Sequence, residues 1–552
     1  MICEPVLESS AICKSCVVRS LGKPQDSMGR LLVVLVLSFA PMAAHGDVTL
    51  NGVFTDHMIL QRDMPVAVYG TAEPGEKVTV VFAGKEKSVV SDKDGKWSVK
   101  LDAMKVSTTP AAMTVAGNNK LTLNDILMGD IWICSGQSNM EWVLGNCNRP
   151  DDLQQADFPL IRLFQMRGTV SSCPRTEVSC IPWTSCTPQT VKDFPAVGYY
   201  FGRKVHQGTG VPIGLIRCAQ GGTAIEPWTP YAGLAMVPEL AKDKETLDNQ
   251  IKTYLDKLAG MQPKFDTYIA GTRKALSGKA DMPAAPELPS PHPISNNAPQ
   301  GWNCLYNGYI HPLTRFAIKG VLWYQGESNC SNADTYFPKQ RALIGSWRKA
   351  WNQGNFPFYF VQLANYGNTT DNPGADDGGW AKLRMAQLKS LIIPNTGMAV
   401  AIELADIGNP GDVHAKNKKD VGERLSLWAL AKDYGKKNLV YSGPLFKDMK
   451  VEGGKIRIAF DSVGSGLTIA TKTGYDPMVK DPHGKLQKFA IAGDDKKWVW
   501  ADAVIDGKTI VVSAPGVAKP VAVRYAYSMN PDGCNLYNNE GLPASPFRTD
   551  EW

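Results

Sequence analysis

The stretch Asp130-Ile131-Trp132-Ile133-Cys134-Ser135-Gly136-Gln137-Ser138-Asn139-Met140-Glu141-Trp142 decides the fold. The apolar residues after Asp130 read as a short buried strand, Ser135-Gly136 breaks the run, and Ser138 opens a more polar segment. In an α/β protein, the carboxyl end of a strand is where a reactive side chain meets the N-terminus of the following helix. Ser138 is therefore a candidate nucleophile, set against the commoner use of a serine after glycine as a turn or cap residue. The hydrolase elbow G-x-S-x-G is not formed, because Met140 stands at its second glycine position. A catalytic Ser138 requires a different scaffold.

From Asp130 onward, apolar runs at 131–134, 213–217, 317–324, 358–362 and 398–404 are spaced widely enough for helices between them. Helical patterns fall at 197–207 and 379–391, with a further one at 416–430. The pattern predicts an α/β domain over 128–438, a parallel sheet covered by helices. Residues 228–300 are long and polar and end in a Pro-rich tract, which marks an insertion lying over or beside the site. Upstream, 47–127 alternates apolar and polar residues between turns such as Glu73-Pro74-Gly75, the texture of an N-terminal β-sandwich. Residues 439–552 return to strand patterns and predict a C-terminal β domain.

With 552 residues the chain is too long for one ordinary core. A net charge of +6 without a basic cluster argues against a nucleic-acid partner. The apolar run 31–44 is 14 residues, short of the ~20 that span a bilayer. Arg30 before it and Ala43-Ala44-His45-Gly46 after it give the layout of a secretory signal peptide, with Met28 as a compact start. Residues 1–46 thus predict export to the periplasm or the extracellular space, without stable membrane insertion. Nine cysteines follow, of which Cys173, Cys180 and Cys186 form a candidate disulfide cluster. Their spacing carries no zinc or redox signature.

Four strand ends carry polar clusters: Gly136-Gln137-Ser138-Asn139, then Cys218-Ala219-Gln220-Gly221-Gly222-Thr223, then Gln325-Gly326-Glu327-Ser328-Asn329, and Asp406 to His414. Serine hydrolysis needs a nucleophile, an imidazole base, a carboxylate to orient it and donors for the oxyanion. These clusters hold every type required. His206 falls in a predicted helix, His57 and His483 in the β regions and His292 in the Pro-rich tract, so His414 leads and His311 is its competitor.

Trp132-Ile133-Cys134-Ser135-Gly136-Gln137-Ser138-Asn139-Met140 and Leu322-Trp323-Tyr324-Gln325-Gly326-Glu327-Ser328-Asn329 occur in that order. Together with Gly221-Gly222-Thr223, Asp412-Val413-His414, Lys416-Asn417-Lys418, Gly422 and the tail 541–550, they make the chain resemble the secreted bacterial sialate O-acetylesterases, SGNH hydrolases with a flavodoxin-like core. The likeness runs over about 48–552. It implies Ser138 as nucleophile, His414 as base, and an oxyanion hole of the Ser138 N–H with a backbone N–H of Gly221 or Gly222. The third donor is an Asn in the wider group and the Gln before the glycine, here Gln325, in the related sugar acetylesterases. The wider pattern places the acid three residues before the histidine, where this chain has Gly411. Asp412 takes the role, with Asp406 or a backbone carbonyl as alternatives. The implied partner is an O-acetylated sugar or glycan and the implied mechanism uses no cofactor or metal; acetylxylan esterase is the alternative activity, and a non-catalytic glycan-binding protein the alternative class. Trp142, Trp228, Trp323 and Tyr324 suit a sugar face or a core, and Arg384 is a candidate for a sialate carboxylate by residue type alone.

Overall fold

A computed structural model of the chain describes residues 46–289, 293–294, 300–375, 378–405 and 408–552. The expected leader, His292 and Asp406 lie outside the described residues. Among the described residues no helix is long and apolar enough to cross a membrane.

The apolar run before Ser138 is the end of a strand of 17 residues, Lys120–Gly136. Its residues alternate between exposed and half-buried up to Asp125 and are all buried from Ile126 onward. The alternating part pairs antiparallel with Ser107–Ala116. The buried part lies between two parallel neighbours, Ile213–Ala219 and Gly320–Tyr324. A strand inside a parallel sheet is covered on both faces, and its sequence is accordingly apolar throughout.

The central sheet runs Cys180–Cys186, Phe158–Met166, Ile213–Ala219, Lys120–Gly136, Gly320–Tyr324, Phe358–Gln362, Thr396–Val400. Every neighbouring pair is parallel except the first. The fold is therefore α/β with a mixed sheet rather than the purely parallel one expected. An antiparallel edge strand needs no helical crossover, which is why no helix signal lies between 166 and 180. Lys120–Gly136 also joins strands of the leading β region to this sheet, and the two parts share one hydrophobic core from Val48 to Ala429. The C-terminal strands from Leu445 onward form antiparallel sheets around a second core built on residues such as Ile458, Ile491, Val523 and Phe547.

Helices Ala196–Thr209 and Lys418–Lys432 pack together closely at Gly422, where a Cβ would sit 2.6 Å from the Val197 carbonyl oxygen. Asn417 caps the second of them, its side chain accepting from Asp420 N–H at 3.0 Å. The polar interval 228–300 contains two long helices, Ala241–Ala259 and Gln262–Leu276, in which Leu247 is the sole buried residue.

The expected cluster of disulfide-forming cysteines is corrected: Cys173, Cys180 and Cys186 are free thiols, as are the other six described cysteines. Cys180 and Cys186 are the two ends of one strand, six residues and about 20 Å apart, beyond any disulfide.

Candidate active site

Ser138 owes its position to Gly136. That residue has φ +133°, and a Cβ on it would overlap the Tyr324 carbonyl of the neighbouring strand. The chain leaves the sheet there, Gln137 N–H donates to Tyr324 O at 3.0 Å, and Ser138 becomes the first residue of the short helix Ser138–Glu141. Its backbone N–H is one that the helix cannot satisfy.

His414 lies on the segment between Thr396–Val400 and Lys418–Lys432, and its Nε2 is 2.9 Å from Ser138 Oγ. Its Nδ1 is 3.0 Å from Asp412 Oδ1, which also accepts the His414 backbone N–H at 2.9 Å. With a carboxylate oxygen facing Nδ1, the proton of a neutral ring belongs there, leaving Nε2 as an acceptor for the serine hydroxyl. Both side chains keep about a quarter of their surface in solvent. Trp142 stacks on the imidazole, ring centres 5.0 Å apart and planes at 22°.

The remaining described histidines are engaged elsewhere or exposed. Nδ1 of His311 donates to Arg175 O at 2.7 Å, that of His206 to Val211 O at 2.8 Å, and that of His57 faces Asp125 at 2.7 Å. His483 is exposed.

The glycine pair borders the serine. A Cβ on Gly221 would lie 3.5 Å from Ser138 Cβ, whereas one on Gly222, at φ +70°, would meet nothing within 4 Å. Gly221 N–H donates to Glu141 Oε2 at 2.8 Å, and Glu141 Oε1 pairs with Arg217. Glu141 went unread in the sequence, since a carboxylate three residues after Ser138 has no distinguishing pattern.

Gln325 is placed differently from the expected donor. It is completely buried, its Nε2 lies 2.7 Å from Asn329 Oδ1 and 3.2 Å from both Thr223 O and Gln137 Oε1, and its Oε1 accepts from Tyr336. Internal acceptors account for both amide hydrogens, so the side chain ties three loops together. Arg384 is likewise fully buried and donates to the carbonyls of Leu363, Ala364, Ser528 and Met529, which removes it as a clamp for a substrate carboxylate. Trp228, Trp323 and Tyr324 are core residues; of the four aromatics only Trp142 is partly open at the site.

A buried polar group lies alongside. Lys418 is fully buried and donates to Asn139 Oδ1, while Asn139 Nδ2 donates to Glu327 Oε1. Burial pushes the Lys418 ammonium down to about 8, against the pull of Cys147, Glu327 and Asp412. Burial raises the Glu327 carboxyl, against hydrogen bonds from its own backbone and Asn139 and the nearby Lys418 and His414.

A protein family described as carbohydrate esterase, sialic acid-specific acetylesterase, matches residues 128–256 and 298–430. The break between the two stretches contains the helix Gln262–Leu276. The sialate O-acetylesterase of Rattus norvegicus is 30% identical, the alignment covering 94% of this chain and 97% of the rat protein. That of Homo sapiens is 29% identical over 94% of this chain and 95% of its own. The crystal structure of a carbohydrate acetylesterase from Xanthomonas citri superposes with a TM-score of 0.75 at 35% identity, covering 92% of this chain and 100% of that one. Full-length likeness in sequence and in fold shows that the chain belongs to the sialate O-acetylesterase family of carbohydrate esterases and is an enzyme that removes O-acetyl groups from glycans.

Proposed function

We propose that the enzyme is a serine esterase of the SGNH type, acting on O-acetylated sialic acids through Ser138, His414 and Asp412. The observation that carries this reading is the unbroken path of 2.9 Å and 3.0 Å contacts from Ser138 Oγ through the imidazole to Asp412. His414 Nε2 takes the Ser138 proton as Oγ bonds to the acetyl carbon. The bond to the sugar oxygen then breaks, the sugar hydroxyl leaves with that proton, and the acetyl group stays on Ser138. Water, deprotonated by the same nitrogen, releases acetate and restores the serine. The Ser138 N–H and the Gly222 N–H are the oxyanion donors; Gly222 is preferred over Gly221, whose N–H Glu141 already holds. The enzyme of this reading is bacterial and exported to the periplasm or beyond, with the α/β domain over 128–438 as its catalytic part.

Ser138→Ala should abolish acetate release from p-nitrophenyl acetate and leave the thermal melt near wild type. Unchanged hydrolysis would overturn the assignment. One observation favours a second substrate reading, neutral acetylated glycans such as xylan: Arg384 is bound to four backbone carbonyls and no longer offers a counter-charge for a sialate. Comparing O-acetyl sialic acid, acetylxylan and acetylated N-acetylglucosamine as substrates decides between them, and a strong preference for acetylxylan would displace sialate.

A further inference from the structure

Acyl transfer leaves three residues of the recognised motifs without a role: Asn139 beside the serine, Glu327 after the strand Gly320–Tyr324, and Lys418 opening the helix after His414. They come from three chain segments and meet at one point. The Asn139 amide accepts from Lys418 Nζ and donates both to Glu327 and, at 3.0 Å, to the carbonyl of Val413, the neighbour of His414. The Lys418 ammonium also lies 5.2 Å from the Tyr324 ring centre and 5.9 Å from that of Trp142, the ring stacked on His414. Glu327 Oε2 is buried with no hydrogen-bond partner among the described residues.

As a packing device this arrangement is a poor choice. A buried ammonium that reaches a carboxylate only through an intervening amide bears a large desolvation penalty, and apolar side chains of similar volume are commonly as stable or more so. Charge retained at that cost suggests an electrostatic purpose. We propose that Lys418 and Glu327, joined through the Asn139 amide, are positioning residues that hold the His414 segment against the nucleophile turn and set the charge balance around its imidazole. The inference rests on the reading of Ser138, His414 and Asp412 given above.

Around His414, Asp412 comes from its own segment, Ser138 from the nucleophile turn and Glu327 from the neighbouring strand end, while Lys418, on the helix that follows, lies beside Asn139 and the Trp142 ring. Cys147 is a further titratable group near Lys418, and the Cys147 thiol is itself pushed up to about 11, chiefly by burial. An imidazolium forms when His414 takes the serine proton; a carboxylate at 327 favours it and an ammonium at 418 opposes it. The two charges therefore pull the acid limb of the pH profile in opposite directions, which a merely structural role would not do.

The experiment measures kcat/KM for p-nitrophenyl acetate against pH, with thermal melts, in wild type, Glu327→Gln, Lys418→Met, Asn139→Ala and Ser138→Ala. The acid limb should move to lower pH in Glu327→Gln and to higher pH in Lys418→Met, each by roughly 0.5 to 1 unit. Asn139→Ala should lower kcat by about 10²-fold with KM little changed, because the His414 segment loses its tie. Unmoved limbs, or shifts of one sign, in folded Glu327→Gln and Lys418→Met enzymes would overturn the inference. Should Lys418→Met fail to fold, Glu327→Gln decides alone. An active Ser138→Ala enzyme would overturn the underlying reading, whereas an inactive one with unmoved limbs overturns only the role of the pair.

Discussion

Asp412 Oδ1 accepts two hydrogen bonds from a single residue, the ring Nδ1–H and the backbone N–H of His414. The turn closed by Asp412 N–H on Asn409 O at 2.9 Å brings this carboxylate round to the ring. Spacing alone left the acid open, because a side chain two residues back reaches the ring only if the intervening backbone takes one particular course. In the proposed triad this carboxylate fixes the tautomer, so Asp412→Asn should reduce kcat/KM by up to ~10⁴-fold with little change in the melt. A folded variant within a few-fold of wild type would reassign the acid. The histidine was more legible than its partner. Few imidazoles compete, and tertiary contacts dispose of the competitor His311, whose Nδ1 donates to Arg175 O.

The decisive element is the strand Lys120–Gly136. Its apolar end was readable because burial on both faces removes any need for polar residues, but its length was not. The exposed half, Lys120 to Asn124, alternates as an antiparallel strand does, so the sequence texture changes inside one continuous element. Its last residue turns strand into site. A methyl group at Gly136 would overlap Tyr324 O and force a side chain onto φ +133°. Gly136→Ala should therefore cost roughly 2–4 kcal/mol in a denaturant melt and displace Ser138 enough to remove most activity. A near-wild-type melt and rate would mean that the neighbouring strand moves aside freely. The helices Ala241–Ala259 and Gln262–Leu276 escaped sequence reading for the converse reason. With one buried residue between them they carry no apolar stripe, the signal by which helices are usually found.

At the scale of the whole molecule, the C-terminal β region reaches the histidine segment. Tyr475 OH lies 2.5 Å from Lys416 O and 2.6 Å from Cys147 O, and Asn417 Nδ2 donates to Gly474 O at 2.7 Å. Lys472 pairs with Asp420 at 2.7 Å in the first turn of the helix after His414. These contacts make the trailing β region a brace for the base. Tyr475→Phe removes a hydroxyl from two carbonyls and should lower stability by about 1–2 kcal/mol. It should also lower kcat, with KM unchanged. A loss of stability without any loss of kcat would confine the brace to a purely structural role.

The sequence by itself determined the α/β class and most strands of the central sheet, and made Ser138 and His414 candidates, because strand burial and strand-end chemistry act on neighbouring residues and leave local patterns. Tertiary structure alone decided which donors and charges face those two residues. Gln325 and Arg384 have the right chemistry for a site but are taken up by internal partners, while Glu141 and Lys418 gain their places through contacts with segments distant in the chain. Such partnerships depend on how loops from separate strands converge, and no spacing within a single segment records that.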